Sequence, residues 1–177
     1  MATDPYGFPI LGGWLEIDAA GMAEVDLLMV ETYGITLPQV MENAGRSLAI
    51  LARDRFFDGL IGYSLHGSPR GRALDLIRWA NASSAPVLAV DVPSGFDSQA
   101  GTGMAEVNRT TAALALAFPK RGLASPSVRN AVVEPYLADN SVPPGLYERL
   151  TTPRVVPPFA VADILHLPTR KDFTNGS

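Results

Sequence analysis

A chain of 177 residues, 47% hydrophobic and 18% charged, is long enough for one domain burying roughly two-thirds of its unfolded surface and too apolar for a disordered one. A formal charge of −4 argues against a duplex nucleic-acid partner held by counterion release. The absence of cysteine excludes disulfides, thiolate catalysis and cysteine-type zinc sites. No apolar run approaches the ~20 residues that span a bilayer, and no Lys or Arg precedes Arg46 to start a secretory leader. A soluble, cytoplasmic protein with no membrane partner is expected.

Residues 1–17, with Pro5, Gly7, Pro9, Gly12 and Gly13, read as an irregular N-terminal arm that Trp14 and Leu15 would anchor to a neighbour. From Asp18 a helix is expected, because Met22, Val25, Met29, Val30 and Tyr33 recur near helical spacing, and Gly34 supplies its stop. Thr36-Leu-Pro-Gln39 is a capping-box pattern. The helix it opens should run to about Asp54 and bury Met41, Ala44, Leu48 and Leu51 or Ala52, with Asn43 in its second turn. Helical propensity gives no reason for an asparagine there, and a polar surface residue is one reading of it.

Asp58 to Tyr63 reads as a strand, and Gly62 to Gly67 as a loop at its carboxyl end. Glycines there let backbone N–H groups approach an anion closely, although glycine loops are also ordinary connectors. Ser68-Pro69 looks like a helix start, with Leu74, Ile77 and Ala80 or Trp79 inward. Val87 to Val90 is a short apolar run of the kind buried on both faces of a parallel sheet, and it stops at Asp91. Pro93 and Gly95 then force a turn. A carboxylate is thereby delivered to the carboxyl end of a buried strand, where ligands bind in open α/β sheets, with the Ser94 hydroxyl three residues on. The plainer alternative is that Asp91 only caps the turn.

Asp97 to Asn108 reads as a polar loop, Thr111 to Phe118 as a buried strand, and Ala131 to Leu137 as the last strand. Lys120, one of two lysines against twelve arginines, lies in the turn after the second of these, where an ordinary basic turn residue is the competing reading. Residues 151–177, with four prolines, are expected to form an irregular tail with at most one helical turn near Ala162–Leu165. Apolar runs separated by helix-like segments indicate an α/β fold, a three-layer αβα Rossmann-like domain with a mostly parallel sheet. Ser94 has no histidine in a matching position, so nucleophilic catalysis is not indicated, and His66 reads as a solvated loop residue rather than a base.

Asp91-Val-Pro-Ser94-Gly, with Met41-Glu-Asn43-Ala-Gly45, the Gly62–Gly67 loop, Phe118-Pro-Lys120-Arg-Gly-Leu123 and the run from Leu137 to Glu148, resembles the YjeF N-terminal domain family. The likeness extends from about Ala20 to Leu150, giving a domain over 18–150. That family contains the NAD(P)H-hydrate epimerases, isomerases of nicotinamide-nucleotide repair. They interconvert the R and S forms of hydrated NADH and NADPH at the hydrated carbon of the dihydropyridine ring. The resemblance implies a small nucleotide substrate and a bound potassium ion, and a homodimer is compatible with it. It makes Asp91 the acid–base and substrate-contacting residue. By the same match Asn43 and Lys120 contact the substrate, and Gly62, Tyr63, Ser64, Leu65, His66, Gly67 and Ser68 wrap the nucleotide. Asp58 and Ser94 match potassium ligands.

One departure is large. Around residues 55–58 the chain lacks the several dozen residues that family members carry there: a first strand, a glycine- and asparagine-rich turn, a helix and a further strand. The turn holds phosphate and potassium contacts, so its loss implies impaired activity. The alternative is a non-catalytic interaction or scaffold module whose truncated sheet pairs with a partner or a second copy.

Overall fold

The computed structural model describes residues 2–13, 16–51, 56–59, 67–97, 102–103, 106–123, 131–152 and 156–168. Helices α1 (Ala19–Glu31) and α2 (Leu37–Leu51) lead into strand β1 (Phe56–Asp58). Helix α3 (Gly71–Ala82) precedes β2 (Val87–Val90), β3 (Phe96–Asp97) and β4 (Thr102–Gly103). The chain continues through β5 (Thr110–Leu116), β6 (Val132–Ala138), the single turn α4 (Pro144–Tyr147) and β7 (Ile164–His166). The main sheet has the order β1-β2-β5-β6-β7, parallel up to β6 and antiparallel for β7. β3 and β4 form a separate antiparallel pair within the stretch read as a polar loop.

Register explains the core. Leu88, Ala112, Leu114, Tyr136, Ala138 and Ile164 share one sheet face, where Leu51 of α2 covers them with Leu48 and Phe8. The opposite face carries Ala89 and Ala113 with Val92, Phe96 and Leu123. Further along that face, Ala115, Leu137 and Leu165 pack with Leu11, Leu167, Phe159 and Ala162. Both faces are covered, so central strands with no polar side are stable here. An α/β fold with a mostly parallel open sheet and helices, α2 covering one face, is the observed architecture.

The helix starts follow the capping chemistry. Asp18 accepts the Gly21 N–H at 2.9 Å, and Gln39 Oε1 accepts both the N–H and the hydroxyl of Thr36. Met22, Val25 and Met29 of α1 are buried as expected. On α2, Ala44 and Leu51 are buried, but Met41 is 62% exposed and Ser47 takes the inward place. Helix α3 starts at Gly71 with Arg70 rather than Ser68 before it, and Trp79 faces solvent while Ile77 is buried.

Two further expectations change. The first strand ends at Asp58 instead of beginning there. The helical turn expected at Ala162–Leu165 is strand β7, held by Leu137 and its neighbours on β6. Part of the N-terminal arm is ordered by the same edge. Leu11 donates its N–H to His166 O, and His166 donates its N–H to Pro9 O. Asp4 is the anchor: it accepts the Tyr6 and Phe8 N–H groups and the buried Tyr136 hydroxyl. Trp14 and Leu15 lie outside the described residues.

Tyr147 gives a stability test. Its ring packs edge-on against Phe118 at 4.9 Å between centroids, while its buried hydroxyl has no hydrogen-bond partner among the described residues. Burial first, and the Asp139 charge second, raise its pKa well above the ordinary phenol value. The neutral form is therefore favoured in the folded state. Its contribution is fully present below pH ~10 and is lost as pH rises through the raised folded value. Tyr147→Phe should stabilise the fold by about 1 kcal/mol at neutral pH and flatten the alkaline decline, as read from urea unfolding midpoints at pH 7 and above pH 10.

Candidate functional site

β1, β2 and β5 are adjacent and parallel, so their carboxyl ends stand in a row at intervals of about 4.8 Å. That row carries Asp58 at the end of β1, Asp91 just after β2, and Lys120 in the turn after β5. The end of β6 adds Ser141, whose Oγ accepts a hydrogen bond from Asn43 Nδ2 of α2 at 2.5 Å. The sheet thus brings Asn43, Asp58, Asp91, Ser94 and Lys120 to one edge. Gly67 reaches the same end, donating its N–H to Asp97 Oδ2 at 3.4 Å. Ser68 is exposed. Gly62, Tyr63, Ser64, Leu65 and His66 lie outside the described residues.

Backbone conformation marks the same edge. Asp91, Ala117 and Ser141 all have φ in the left-handed region, at 69°, 63° and 59°. Each lies just beyond the end of β2, β5 or β6, and such non-glycine residues cost about 1–3 kcal/mol each. The kink at Asp91 keeps its N–H in the ladder, donating to Leu114 O, while its side chain turns toward the end of β5. There Asp91 Oδ1 accepts the Lys120 ammonium and, at 3.4 Å, the Leu116 N–H.

Asp58 and Ser94 are tied to one another. Ser94 donates its N–H to Asp58 Oδ2 at 2.9 Å and its hydroxyl to Asp58 Oδ1 at 2.6 Å, both residues being buried. This pair locks the turn after β2 onto the end of β1. It brings three side-chain oxygens, Asp58 Oδ1 and Oδ2 and Ser94 Oγ, to one corner, whereas hard cations take about six or more. Among the described residues no group of three or more His, Asp or Glu is placed to hold a metal.

Residues 18–122 match the family described as YjeF-related protein N-terminus. The chain belongs to that family. Three relatives named NAD(P)H-hydrate epimerase are similar to it. The Dehalogenimonas lykanthroporepellens protein is 39% identical over 114 residues, covering 64% of this chain and 45% of the relative. The Truepera radiovictrix protein is 37% identical over 108 residues, covering 61% and 48%. The Puccinia graminis protein is 31% identical over 120 residues, covering 68% and 46%. The chain thus spans about half the length of these curated relatives. A crystal structure of yeast ynu0 superposes with a TM-score of 0.52 at 19% identity, over 64% of this chain and 46% of that one. It supports the fold alone.

Within a YjeF-type domain, three contributors to this edge have little local signal in sequence. Ser141 is one of several polar residues in a loop, and only the Asn43 contact gives it a place. Ile17 sits in the arm, yet it bridges the Lys120 backbone: Ile17 donates to Pro119 O and accepts from the Arg121 N–H. Asp97, read only as the start of a polar loop, is a third: the Gly67 contact gives it a place. No helix among the described residues is long and apolar enough to cross a membrane.

Proposed function

We propose that this chain acts on hydrated NADH and NADPH as an epimerase-type isomerase, with Asp91 as the group that moves the proton. The observation that carries the reading is the Asp91 carboxylate at the carboxyl end of β2, kinked out of the strand with one oxygen engaged among the described residues. The family and the names of its relatives supply the substrate class. Exchanging the two configurations at a hydrated carbon requires a bond at that carbon to break and re-form. If the bond from that carbon to the ring nitrogen breaks, the hydroxyl gives up its proton as the carbon becomes a carbonyl and the nitrogen takes one up; closure on the other face of the carbonyl reverses both transfers. One carboxylate that alternately accepts and returns that proton suffices. The turn locked by Asp58 and Ser94 fixes where it stands.

Asn43 and the segment from Gly62 to Ser68 are the substrate-contacting groups of this reading, the loop providing N–H donors for the phosphates. Potassium at Asp58 and Ser94 belongs to the same reading. The ion would hold the turn and balance charge, and the remaining oxygens must come from elsewhere. The residues missing around 55–58 take away a phosphate cradle. β1 ends the described sheet, with β2, β5 and β6 following it. We attribute to this loss a rate well below that of a full-length relative.

Ligand-dependent melting tests the reading. A ligand at 100 times its Kd stabilises a fold by about 2.7 kcal/mol, so hydrated NADPH should raise the melting temperature measurably. Asp91→Asn should keep most of that shift, since phosphate contacts lie elsewhere. The absence of any shift with nicotinamide nucleotides, with or without potassium, would overturn it in favour of an interaction module.

A further inference from the structure

We propose that Lys120 is a positioning residue for Asp91, binding one carboxylate oxygen so that the other is presented to the ligand. The proposal rests on Asp91 being the proton-moving group. Lys120 is among the most deeply buried side chains of the protein, at 1% exposure. An ammonium has three protons. Here it donates to Asp91 Oδ1, to Leu116 O at 3.0 Å and to Phe118 O at 3.2 Å. With three protein acceptors in place, the ammonium has no donor to spare for a ligand. Its family position is therefore explained by what it does to Asp91.

The carboxylate is correspondingly asymmetric. Oδ1 takes the ammonium and the Leu116 N–H, and Oδ2 takes no hydrogen bond among the described residues, while the side chain keeps 11% exposure. The clamp is built into the chain path. Ala117 leaves β5 in the left-handed region, which lets the chain return within four residues so that Lys120 reaches Leu116 O. Ile17 then brackets Lys120 with backbone hydrogen bonds to Pro119 and Arg121, and Asp18 pairs with Arg121 at 3.0 Å. The start of α1 thereby fixes the turn that orients the carboxylate. Positioning of this kind is worth much in rate, because a misplacement near 1 Å can cost about 100-fold.

The test compares single-epimer conversion by Lys120→Met, Asp91→Asn and the double variant with the unmodified chain. Lys120→Met should lower kcat about 10- to 100-fold and leave KM within about threefold, and the double variant should be no slower than Asp91→Asn. In Lys120→Ala, added propylamine should restore part of kcat while propanol restores none. Asp91→Asn at full rate would sink the assignment of Asp91 itself. Loss of activity in Asp91→Asn with full activity in Lys120→Met would sink the clamp alone. A readout independent of folding variants is the lysine ammonium signal in ¹⁵N NMR, simple because the chain has only two lysines. One of the two should exchange slowly with water and lose that protection in Asp91→Asn. Two fast-exchanging ammonium groups would overturn the clamp.

Discussion

Gly95→Ala is expected to leave little folded protein. Gly95 has φ of +95°, and a Cβ built there lies 2.1 Å from the Glu106 carbonyl oxygen and 3.0 Å from Val107 Cα. Those contacts are backbone, so no side chain can swing aside. The conformation alone costs a non-glycine residue about 1–3 kcal/mol. Relief of the clash would push the turn after β2 away from residues 106–108, which Asn108 holds through its N–H to Ser94 O at 2.8 Å. Ser94 in turn carries both hydrogen bonds to Asp58. Against a total stability of ~5–15 kcal/mol, the expected result is a urea midpoint far below that of the parent or no cooperative transition. An unchanged midpoint would mean that the turn is built differently.

Asp91→Asn is expected to reduce epimerisation about 100- to 10,000-fold, the range that a positioned acid or base contributes. The amide keeps the size of the side chain and can still accept the Lys120 ammonium through its oxygen. It cannot take and return a proton in this role. The fold should be weakened, because the buried Lys120 ammonium loses its counter-charge. The amide oxygen and the Leu116 and Phe118 carbonyls still accept that ammonium, however, and the strand and the Asp58–Ser94 pair do not depend on ionisation at residue 91. A unit change in circular dichroism is therefore not expected, and the loss should fall on kcat rather than on nucleotide-dependent melting. The same substitution in a version carrying a relative's strand and asparagine–glycine turn after Arg55 should erase whatever rate the graft restores.

Much of this was legible in the sequence for identifiable reasons. Val87 to Val90 is apolar on both faces because both are covered, so an unbroken run ending in Asp91 announced a central strand and its carboxyl edge. Thr36 and Gln39 announced a helix start because capping is local chemistry, and the helix from Asp18 showed in its apolar spacing. Met41 failed because the apolar arc of α2 is wider than the face it buries, and sequence alone does not centre that arc. β7 failed because three residues specify no period. Ile164 to His166 become a strand only because β6 offers an edge to pair with. Asp58 was placed at the start of its strand because Asp58-Gly59 was read as the join of the missing segment, with the apolar run after it as the strand, whereas the strand is Phe56–Asp58. At the site, Asp91 was found by its position in a strand. The Lys120 clamp and the Asn43–Ser141 contact depend on where separate strands stop, and no local pattern encodes that.

The most direct measurement is the conversion of one purified epimer of hydrated NADPH, followed by chromatography with no dehydratase present. The unmodified chain, Asp91→Asn and a buffer blank are run in parallel. The account predicts that the unmodified chain exceeds the blank, that grafting the missing segment raises its rate further, and that Asp91→Asn falls back to the blank in both backgrounds. Equal rates for the unmodified chain, its grafted version and the blank would contradict it.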